Sequence, residues 1–577
     1  MLRLKEEIVS TLAPLVGMTT TEVESYLEIP PDPDMGEYAF PCFVLSRRLK
    51  KSPKDISADL ARQIKPVGLL GKTLSSGPYL NFYVHRPALA AAVLGEALGK
   101  GQSYGFLSEG EGQTVLIDYS APNIAKPFGV GHLRSTVIGS SLYRLYGALG
   151  YRVVGINHLG DWGTQFGKLI TAFRHWGEEA LLEKDPVQYL FQLYVRFHKE
   201  AETNPELDDE ARQRFRQLEK GDAEAVRIWE HFRELSLEEF RRLYDFMGIS
   251  FDLYQGESFY NDMLAGTIEL AREKGLAKES EGALVADLEP YGLPSCLLQK
   301  KDGAALYITR DLSAAIYRYE KYRFSKLLYV VGSEQTLHFK QLFKILELMG
   351  FPWAKDCLHV PFGLIRFKEG RMSTREGNVI FLEDVLDRSI GLAGSIIQEK
   401  NPDLKDKQTA AHAVGLGAVI FGDLVNDRIK DVEFDWDSVL DFSGETAPYV
   451  QYAHARICSI LRRAGRDPSP GGDLPQKEEP TFLPSEGDFA EPEEQQLLIT
   501  MSRFSEQIKR AAVELKPSML AHYLINLARD FNKFYHACPV LTADEESKNA
   551  RLMLIQGVRI VLRNGLGLLG IPAPEEM

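Results

Sequence analysis

The sequence predicts an α/β protein of several domains, built around a parallel sheet whose two halves are separated by a long helical segment. A β-branched apolar run at Thr114–Ile117 is followed by a glycine-bearing turn and by leucines at helical spacing. Strand-like patterning returns at Lys326–Val331, after a Glu-, Arg- and Leu-rich stretch with helical periodicity over residues 168–250. At 577 residues the chain is too long for one core, so two to four domains are expected.

The first hundred residues predict a small α/β module of their own. Residues 1 to about 105 begin with a helical pattern and turn at Pro30–Gly36. A basic stretch at Arg47–Lys54 follows, and an alternating aromatic strand at Gly77–Val84 ends the module.

The central region predicts the two halves of the parallel sheet. From about 112 to 165 the order is strand, helix, strand, with Tyr151–Ile156 as the second strand, which implies parallel pairing and a right-handed crossover. In the second half, strands are expected at Ala305–Ile308 and Lys326–Val331, with a helix at Asp311–Tyr322 between them.

Beyond about residue 410 the sequence predicts a helical domain. Leu497, Met501, Phe504 and Ile508 follow one another at steps of four and three, and a similar stripe follows Pro517. A Pro-, Gly- and Glu-rich stretch at 466–487 is predicted to be an exposed, mobile loop.

Composition and charge narrow the possible classes of function. Hydrophobic residues make up 44% of the chain, yet no apolar stretch approaches the roughly 20 residues that span a bilayer. The start of the chain does not have the pattern of a secretory signal. A net charge of −14 disfavours sequence-blind nucleic-acid binding by the whole molecule, although it leaves room for a local basic face. We therefore expect a cytoplasmic protein.

The five cysteines predict neither a disulfide framework nor a zinc site. None of them forms a C-x-x-C pair, so reduced, mostly buried thiols are the simplest interpretation. They are Cys42, Cys296, Cys357, Cys458 and Cys538.

The turn after the first strand predicts a nucleotide site. Gly129-Val-Gly-His132 leads into a helix, where unpaired backbone N–H groups and the positive end of the helix dipole can hold a phosphate chain. Taken alone the signal is weak, because a glycine pair before a helix is common and a lone histidine is more often structural.

Other segments, in order along the chain, extend this signal. They are Ser120–Pro127, His132–Gly139, Gly155–Lys168, Leu306–Asp311, Arg371–Arg375, Gly444–Tyr452 and Leu569–Met577. With the turn at Gly129, these segments resemble class I aminoacyl-tRNA synthetases, and arginyl-tRNA synthetases in particular, over essentially the whole chain.

The resemblance implies a division into four parts. A catalytic Rossmann-like domain over 109–390 would carry a helical insertion near 170–300, preceded by a small N-terminal module over 1–108 on the D-loop side of tRNA. A connecting segment over 391–435 would lead to a helical anticodon-binding domain over 436–577.

The resemblance also implies a reaction. The chain would join ATP, L-arginine and tRNA(Arg) into arginyl-tRNA, with AMP and diphosphate released, and activation would depend on tRNA. Mg²⁺ would accompany the ATP phosphates without a permanent protein-bound metal. The protein would act as a monomer.

Activation needs positioned donors and cations around the α-phosphate and the leaving pyrophosphate. The resemblance assigns catalytic roles to Lys126, His132, Arg371, Ser373 and Arg375, and ATP contacts to Gly129, Gly131, His132 and Met372. Two residues depart from the usual signatures: Gly129 stands where a first histidine is common, and Thr374 where a second lysine is common. By resemblance, Lys126 stands where a lysine replaces the lysine missing from the second signature.

Recognition of a guanidinium requires carboxylates and other acceptors. By resemblance, Asp118 and Asn123 lie near the amino-acid head group, and Tyr307, Asp311 and Gln335 near the guanidinium. Without the resemblance, the two aspartates would be ordinary loop caps and Tyr307 a core residue.

RNA contacts are expected where aromatic rings and cations coincide, because unpaired bases stack on rings. Tyr79 and Asn81 are the candidates in the N-terminal module, and Tyr452, Arg456 and Tyr535 in the helical domain. Because most of these aromatics also fall in apolar stripes, a core role is the competing interpretation.

Two alternatives accompany this interpretation. Gly129 and Thr374 suggest a non-enzymatic paralogue that only binds tRNA. An aminoacylation assay of the wild-type chain distinguishes the two, because a binding protein would retain tRNA and give no charged product. A synthetase for cysteine or glutamate is disfavoured, because the zinc ligands for the first are absent and an acidic pocket repels the second.

Overall fold

A computed structural model describes residues 1–301, 303, 306–367, 380–435, 439–467 and 488–577. Within these ranges no helix is long and apolar enough to cross a membrane. All five cysteines are buried and carry free thiols.

The N-terminal residues form a three-stranded antiparallel sheet covered by helices. The elements are α1 (Leu2–Val16), α2 (Thr20–Tyr26), β1 (Tyr38–Pro41), α3 (Ser46–Leu49), α4 (Pro53–Gln63), β2 (Leu70–Ser76), β3 (Tyr79–Val84) and α5 (Arg86–Lys100). The strand order is β1-β3-β2, so the predicted aromatic strand is confirmed as the central one. Leu4, Ile8 and Leu12 are spaced four residues apart and bury one face of α1.

The first half of the parallel sheet and the helical insertion follow. They comprise β4 (Thr114–Asp118), α6 (Leu133–Ala148), β5 (Arg152–Asn157), α7 (Thr164–Trp176), α8 (Glu179–Lys184), α9 (Pro186–Ala201), α10 (Glu206–Glu219) and α11 (Ala223–Phe246). The predicted strand, helix and strand are confirmed, and β4 pairs with β5 in parallel.

The second half of the sheet begins after the insertion. It comprises β6 (Leu253–Tyr254), α12 (Leu264–Glu273), β7 (Ala277–Ser280), β8 (Ala283–Ala286), β9 (Cys296–Gln299), α13 (Tyr307–Tyr322), β10 (Lys326–Tyr329), α14 (Thr336–Leu348) and β11 (Cys357–His359). The five-stranded sheet has the order β11-β10-β4-β5-β6, and β7, β8 and β9 form a separate antiparallel sheet. The purely helical part of the insertion therefore ends at Phe246, earlier than the predicted span to about 300.

One predicted strand is wrong. Residues 305–308 were expected to continue the parallel sheet, but α13 begins at Tyr307. Ile308 and Leu312 lie one turn apart on this helix, and both are buried against the sheet with Leu116. A run of four apolar residues does not distinguish a strand from the start of a buried helix.

The two faces of the sheet are covered by different helices. Val115 and Ile117 point to the core that includes α6, whereas Leu116 points to the core that includes α13 and α14. This alternation is the period of a strand buried on both faces.

The remainder is mostly helical. Its elements are β12 (Ile365–Phe367), α15 (Leu382–Lys400), α16 (Lys407–Leu424), β13 (Val432–Phe434), α17 (Ala447–Arg463), α18 (Pro492–Ser502), α19 (Phe504–Val513), α20 (Pro517–Ala537) and α21 (Glu545–Leu568). β12 and β13 pair in parallel. The two predicted apolar stripes are the buried faces of α18 to α20.

The two ends of the chain meet. Helix α5 packs against α18 and α21, and the Asn564 side-chain amide donates to the Gly101 carbonyl at 2.9 Å. The Tyr104 ring stacks on Phe504, with 6.1 Å between the centroids. The N-terminal module therefore completes its core against the C-terminal helices.

Candidate active site

Three neighbouring strands of the parallel sheet end at one edge. Strands β10, β4 and β5 lie side by side, and the chain order reverses at β4, because β5 lies on one side and β10 on the other. At such a reversal the loops diverge and leave a crevice at the carboxyl ends of the strands, where ligands bind. Asp118 is the last residue of β4, and His158 follows β5.

The loop after β4 is held in a strained conformation. Ser120, Ala121 and Ala125 have φ values of 71°, 49° and 59°. Residues with a Cβ rarely adopt this region, at a cost of order 1 kcal/mol or more each. The Ser120 hydroxyl lies 2.8 Å from the Thr136 hydroxyl and 2.7 Å from that of Tyr244, and all three are buried. Strain held this firmly is typical of a functional loop.

The helical insertion supplies part of this support. Tyr244 belongs to α11, and its hydroxyl also accepts a hydrogen bond from the Asn157 amide at 2.9 Å. Ser236 lies about two turns before Tyr244 on the same helix, and its hydroxyl accepts a hydrogen bond from the Ala125 N–H at 3.2 Å. The insertion therefore fixes the loop that the sequence singled out.

The predicted nucleotide-binding residues lie where this loop enters α6. A 3₁₀ turn at Val130–His132 runs directly into the helix. Gly131 is exposed, and a Cβ added there would meet no atom within 4 Å, so its backbone is open to an approaching phosphate. The Lys126 ammonium lies 5.5 Å from the centre of the Tyr194 ring.

His132 is poised as a neutral imidazole. Burial lowers its pKa to about 4, and the nearby positive charge of Lys126 acts in the same direction. At neutral pH the ring therefore carries no charge, and it can still donate one N–H to a phosphate oxygen.

Asp118 is not a free carboxylate. Its Oδ2 lies 2.8 Å from Nη1 of Arg318 on α13, and both side chains are almost fully buried. The carboxylate at 118 and the rings of Tyr260 and Tyr329 keep the Arg318 pKa well above its ordinary value, even though burial opposes this. Arg318, a basic residue that the sequence analysis did not single out, therefore lies between the two predicted carboxylates, Asp118 and Asp311.

Asp311 lies on the other side of this pair, hydrogen-bonded to one histidine and close to a second. Its Oδ2 lies 2.6 Å from Nε2 of His338 on α14, and its Oδ1 lies 4.0 Å from Nε2 of His158. The Nδ1 atom of His158 accepts a hydrogen bond from Arg318 at 3.3 Å. Asp118 and Asp311, from the two separated halves of the sheet, are therefore joined through one arginine and one histidine.

Tyr307 and Gln335 are accessible beside Asp311. Tyr307 precedes it by one turn on the same face of α13 and has 64% of its surface exposed. Gln335 is exposed at the end of a 3₁₀ turn, three residues before His338. Tyr307 is therefore not the core residue that the competing interpretation required.

Asn123 is packed against the loop after β5. A Cβ added at Gly160 would lie 2.3 Å from the Asn123 side-chain oxygen, so a side chain at this position would displace the Asn123 amide. The Ile124 N–H donates to the Gly160 carbonyl at 3.1 Å, which fixes the two loops together.

Glu257 is a functional candidate that the sequence analysis missed. One of its carboxylate oxygens is buried without a hydrogen bond, and the nearest cation atom, Nη1 of Arg310, is 3.7 Å away. Burial raises its pKa to about 8, against the opposing positive charge of Arg310, and the negative charges of Asp311 and Asp161 add to the rise. The single nearby cation therefore does not offset the burial of this carboxylate. Its segment, Gly256–Tyr260, has no spacing that marks a site.

The second signature lies outside the described residues. This applies to Arg371, Met372, Ser373, Thr374 and Arg375. The chain that follows it is anchored to the first signature, because the Val130 N–H donates to the Ile380 carbonyl and the Leu382 N–H to the Phe128 carbonyl, at 3.1 and 3.0 Å.

The N-terminal RNA candidates differ in accessibility. Tyr79 is partly exposed and makes an edge contact with the ring of Phe43, which has half of its surface exposed. Asn81, in the central strand β3, has 3% of its surface exposed. A direct RNA contact by Asn81 therefore requires the side chain to become more accessible.

The C-terminal RNA candidates form one cluster. The Arg456 guanidinium lies between the rings of Tyr452 and Tyr535, 4.6 and 5.1 Å from their centres. Asn532 on α20 accepts a hydrogen bond from Arg456 at 3.1 Å. Both rings are about two-fifths exposed, so they are not core residues, and they can stack on bases.

Comparison with models of known protein families identifies the family to which this chain belongs. Residues 94–436 match the catalytic domain of the class I tRNA synthetases (R), and residues 450–577 match the DALR anticodon-binding domain. Together with a crevice at the sheet reversal and a glycine-bearing turn at a helix start, these matches define a class I aminoacyl-tRNA synthetase. Residues 2–84 match the arginyl-tRNA synthetase N-terminal domain. The chain belongs to the arginyl-tRNA synthetase family.

Individual relatives agree along the whole length. The arginine–tRNA ligase of Halothermothrix orenii is 46% identical, with 100% of both chains covered. That of Clostridioides difficile is 48% identical, with 97% of both chains covered. The arginyl-tRNA synthetase structure from Thermus thermophilus matches with a TM-score of 0.82 at 27% identity, covering 100% of both chains.

Proposed function

We propose that the chain is an arginine–tRNA ligase. It activates L-arginine with ATP to an enzyme-bound arginyl-adenylate and releases diphosphate. It then transfers the arginyl group to the 3′ end of tRNA(Arg) and releases AMP. The observation that carries this proposal is the acidic end of the crevice, where Asp311 and Glu257 lie close together.

The acidic end suits a guanidinium. Asp311 is oriented by its hydrogen bond to His338, and Glu257 retains a buried oxygen without a hydrogen bond. A guanidinium has five N–H donors in a plane and satisfies two carboxylates at once. Tyr307 and Gln335 add an accessible hydroxyl and an amide beside them. Lysine, a point charge with three donors, fills the same acceptors less well.

The head group of arginine lies toward β4 in this proposal. Asp118 keeps acceptor capacity beyond its bond to Arg318, because a carboxylate has about four lone-pair sites. It therefore suits the α-ammonium, with Asn123 beside it. The substrate carboxylate then faces the loop before α6.

The nucleotide lies against the start of α6. There exposed Gly131 lets the triphosphate approach the backbone, next to the predicted contact Gly129, and neutral His132 donates a hydrogen bond to a phosphate oxygen. Lys126 supplies a cation for the leaving pyrophosphate. Attack by the arginine carboxylate on the α-phosphorus forms the adenylate and expels pyrophosphate. The terminal ribose hydroxyl of tRNA then attacks the carbonyl and expels AMP.

Magnesium enters with ATP in this proposal. Imidazole and ammonium groups at the start of α6 suit phosphate oxygens and not Mg²⁺, so the phosphates and water supply the metal ligands. Arg371, Ser373, Arg375 and Met372 remain predicted contributors from the second signature. Lys126 takes the place of the lysine absent at Thr374.

The RNA contacts are proposed at both ends of the chain. Tyr452, Arg456 and Tyr535 provide two rings and a cation for anticodon bases, and Tyr79 with Asn81 faces the D-loop side. We retain the division into 1–108, 109–390, 391–435 and 436–577 as part of this proposal. Free thiols fit a reducing cytoplasm, and a pocket built by one chain fits a monomer.

Two assays test the activity. Purified protein is expected to charge total tRNA with arginine and not with lysine. Arginine-dependent ATP–pyrophosphate exchange is expected only when tRNA is present. Retention of tRNA without any charged product would identify a binding protein and overturn the proposal. Exchange without tRNA would remove only the tRNA dependence.

Asp311→Asn tests the pocket. Loss of the charged acceptor is expected to raise the KM for arginine about 100-fold, since a charge-assisted bond in such a site contributes about 3 kcal/mol. Glu320→Gln, exposed on the same helix, is the matched control and should leave this KM unchanged. An unchanged KM in the Asp311 variant would remove the pocket assignment.

A further inference from the structure

The four residues Pro361–Leu364 are bonded to different parts of the molecule. This stretch connects β11 with β12, which leads along the chain to the second signature. The Phe362 carbonyl accepts the Ser333 N–H at 2.9 Å, beside the turn that carries Gln335. The Gly363 N–H donates to the Arg428 carbonyl at 2.8 Å. The stretch therefore contacts the turn that ends at Gln335.

Arg134 ties this stretch to the signature helix. Its Nη1 donates to the carbonyls of Gly363 and Lys430, at 2.9 and 2.8 Å. Its Nε lies 2.7 Å from Oδ1 of Asp423, and both side chains are 1% exposed. A Cβ at Gly363 would lie 2.6 Å from the Lys430 carbonyl, so no side chain fits. A buried ion pair contributes little net stability, but it fixes geometry.

Arg428 extends the same cluster to the C-terminal helices. Its Nη1 donates to the Pro361 carbonyl at 2.6 Å, and its Nε donates to the Leu515 carbonyl at 2.9 Å. Leu515 lies in the turn between α19 and α20 and has a φ of 56°. A leucine in this region is strained, so the turn is held by its surroundings.

Helix α20 connects this turn with the aromatic cluster that we propose for RNA. It begins at Pro517, two residues after Leu515, and it carries Asn532 and Tyr535 near its other end. At 1.5 Å per residue, the helix bridges roughly 27 Å between them. A shift of α20 on RNA binding therefore reaches the Leu515 carbonyl.

We propose that Arg428 is a positioning residue for arginine activation, through which RNA bound at the Tyr452–Tyr535 cluster sets the position of β12. The guanidinium holds one carbonyl of the C-terminal domain and one of the catalytic segment. Arg134 holds the same segment against α6. The inference rests on the proposed function, and it adds the residues that connect the two sites.

The test is a two-way comparison of RNAs and variants. ATP–pyrophosphate exchange is measured with full-length tRNA(Arg) and with a hairpin of its acceptor arm alone, each at saturation. In wild-type protein the full-length tRNA is expected to give the faster rate. In Arg428→Met the ratio of the two rates should fall about tenfold, a typical allosteric coupling, with tRNA affinity unchanged within threefold.

Lys516→Met is the matched control. It removes a partly buried ion pair to Asp427 across the same interface, at 3.0 Å, without touching residues 361–364. Its rate ratio should equal that of the wild type. If Arg428 had only a structural role, the exchange rates with both RNAs would fall equally in Arg428→Met and their ratio would stay constant. That result would overturn the inference. A ratio of one in the wild-type protein would also overturn it. Failure of wild-type charging would overturn the proposed function instead. Where Arg428→Met does not fold, Arg428→Lys is measured in the same way.

Discussion

At the scale of single residues, Glu257 dominates the chemistry of the pocket. Its pKa of about 8 in the absence of substrate means that it is mostly protonated at pH 7. A bound guanidinium favours the ionised form, so arginine binding and proton release are linked.

We therefore expect arginine affinity to rise with pH. Between pH 6.5 and 8 the dissociation constant should fall about tenfold, because the fraction of ionised Glu257 rises by that factor. Glu257→Gln should bind more weakly and lose this dependence, as isothermal titration in buffers of different ionisation enthalpy would measure. An equal pH dependence in the variant would show that another group titrates.

Residue identities were predictable where a motif carries them, and not elsewhere. Asp118 directly follows the predicted strand at Thr114–Ile117, and His132 and Asp311 belong to segments that carry the family resemblance. The structure brings the two aspartates within reach of one arginine and one histidine. Arg318 and Glu257 stand in segments without a marked spacing. Their importance comes from burial and from neighbours distant in sequence, which periodicity does not reveal.

At the scale of elements, α11 acts as a support for the signature loop. Tyr244 is the contact between them, with one hydroxyl bonded to both Ser120 and Asn157.

Tyr244→Phe should show how much this contact contributes to stability and to activity. Removal of the hydroxyl leaves the buried Asn157 amide without its acceptor and the Ser120 hydroxyl with Thr136 as its remaining hydroxyl partner, which costs about 1–3 kcal/mol of unfolding free energy. The pyrophosphate exchange rate should fall together with the stability, because fewer contacts then hold the loop after β4 in its strained conformation. Tyr254→Phe, on β6, is the control. Equal denaturation midpoints for both variants would contradict this role.

Helices α17 and α20 are joined by the aromatic cluster. Tyr535→Ala should weaken tRNA(Arg) binding by about 1–3 kcal/mol, the usual contribution of one stacked base, with little change in the KM for arginine. Tyr291→Ala, which removes a tyrosine that is 50% exposed elsewhere on the surface, should leave binding unchanged. A filter-binding titration distinguishes the two.

Element types were predictable wherever periodicity was long. The strand–helix–strand unit and the C-terminal stripes are confirmed. The strand expected at 305–308 is wrong, because α13 begins at Tyr307 and a four-residue apolar run fits both kinds of structure. Only tertiary packing of Ile308 and Leu312 decides between them.

At the scale of the whole molecule, buried neutral histidines couple stability to pH. His454 on α17 is fully buried, and its ring bonds to the Pro574 carbonyl at 2.9 Å. Burial lowers its pKa to about 4. The unfolded chain therefore binds more protons between pH 6.5 and 4, and stability falls as pH falls through this window.

His454→Gln should flatten this dependence. In the wild-type protein this one histidine costs about 2 kcal/mol of unfolding free energy between pH 7 and pH 5. The variant should lose less stability over that interval in urea titrations, although its stability at pH 7 falls with the changed packing. His522→Gln, exposed on α20, should behave like the wild type.

The domain order was predictable from the chain, but the closure between its ends was not. Asn564 and Gly101 lie 463 positions apart and are hydrogen-bonded, and no local pattern indicates such a pair. At about 5–20 residues per second, a ribosome makes the partner of α5 on the order of a minute after α5 itself. During synthesis the apolar side of α5 is therefore not yet covered by its C-terminal partners. The N-terminal module, the first to leave the ribosome, is among the last to complete its core.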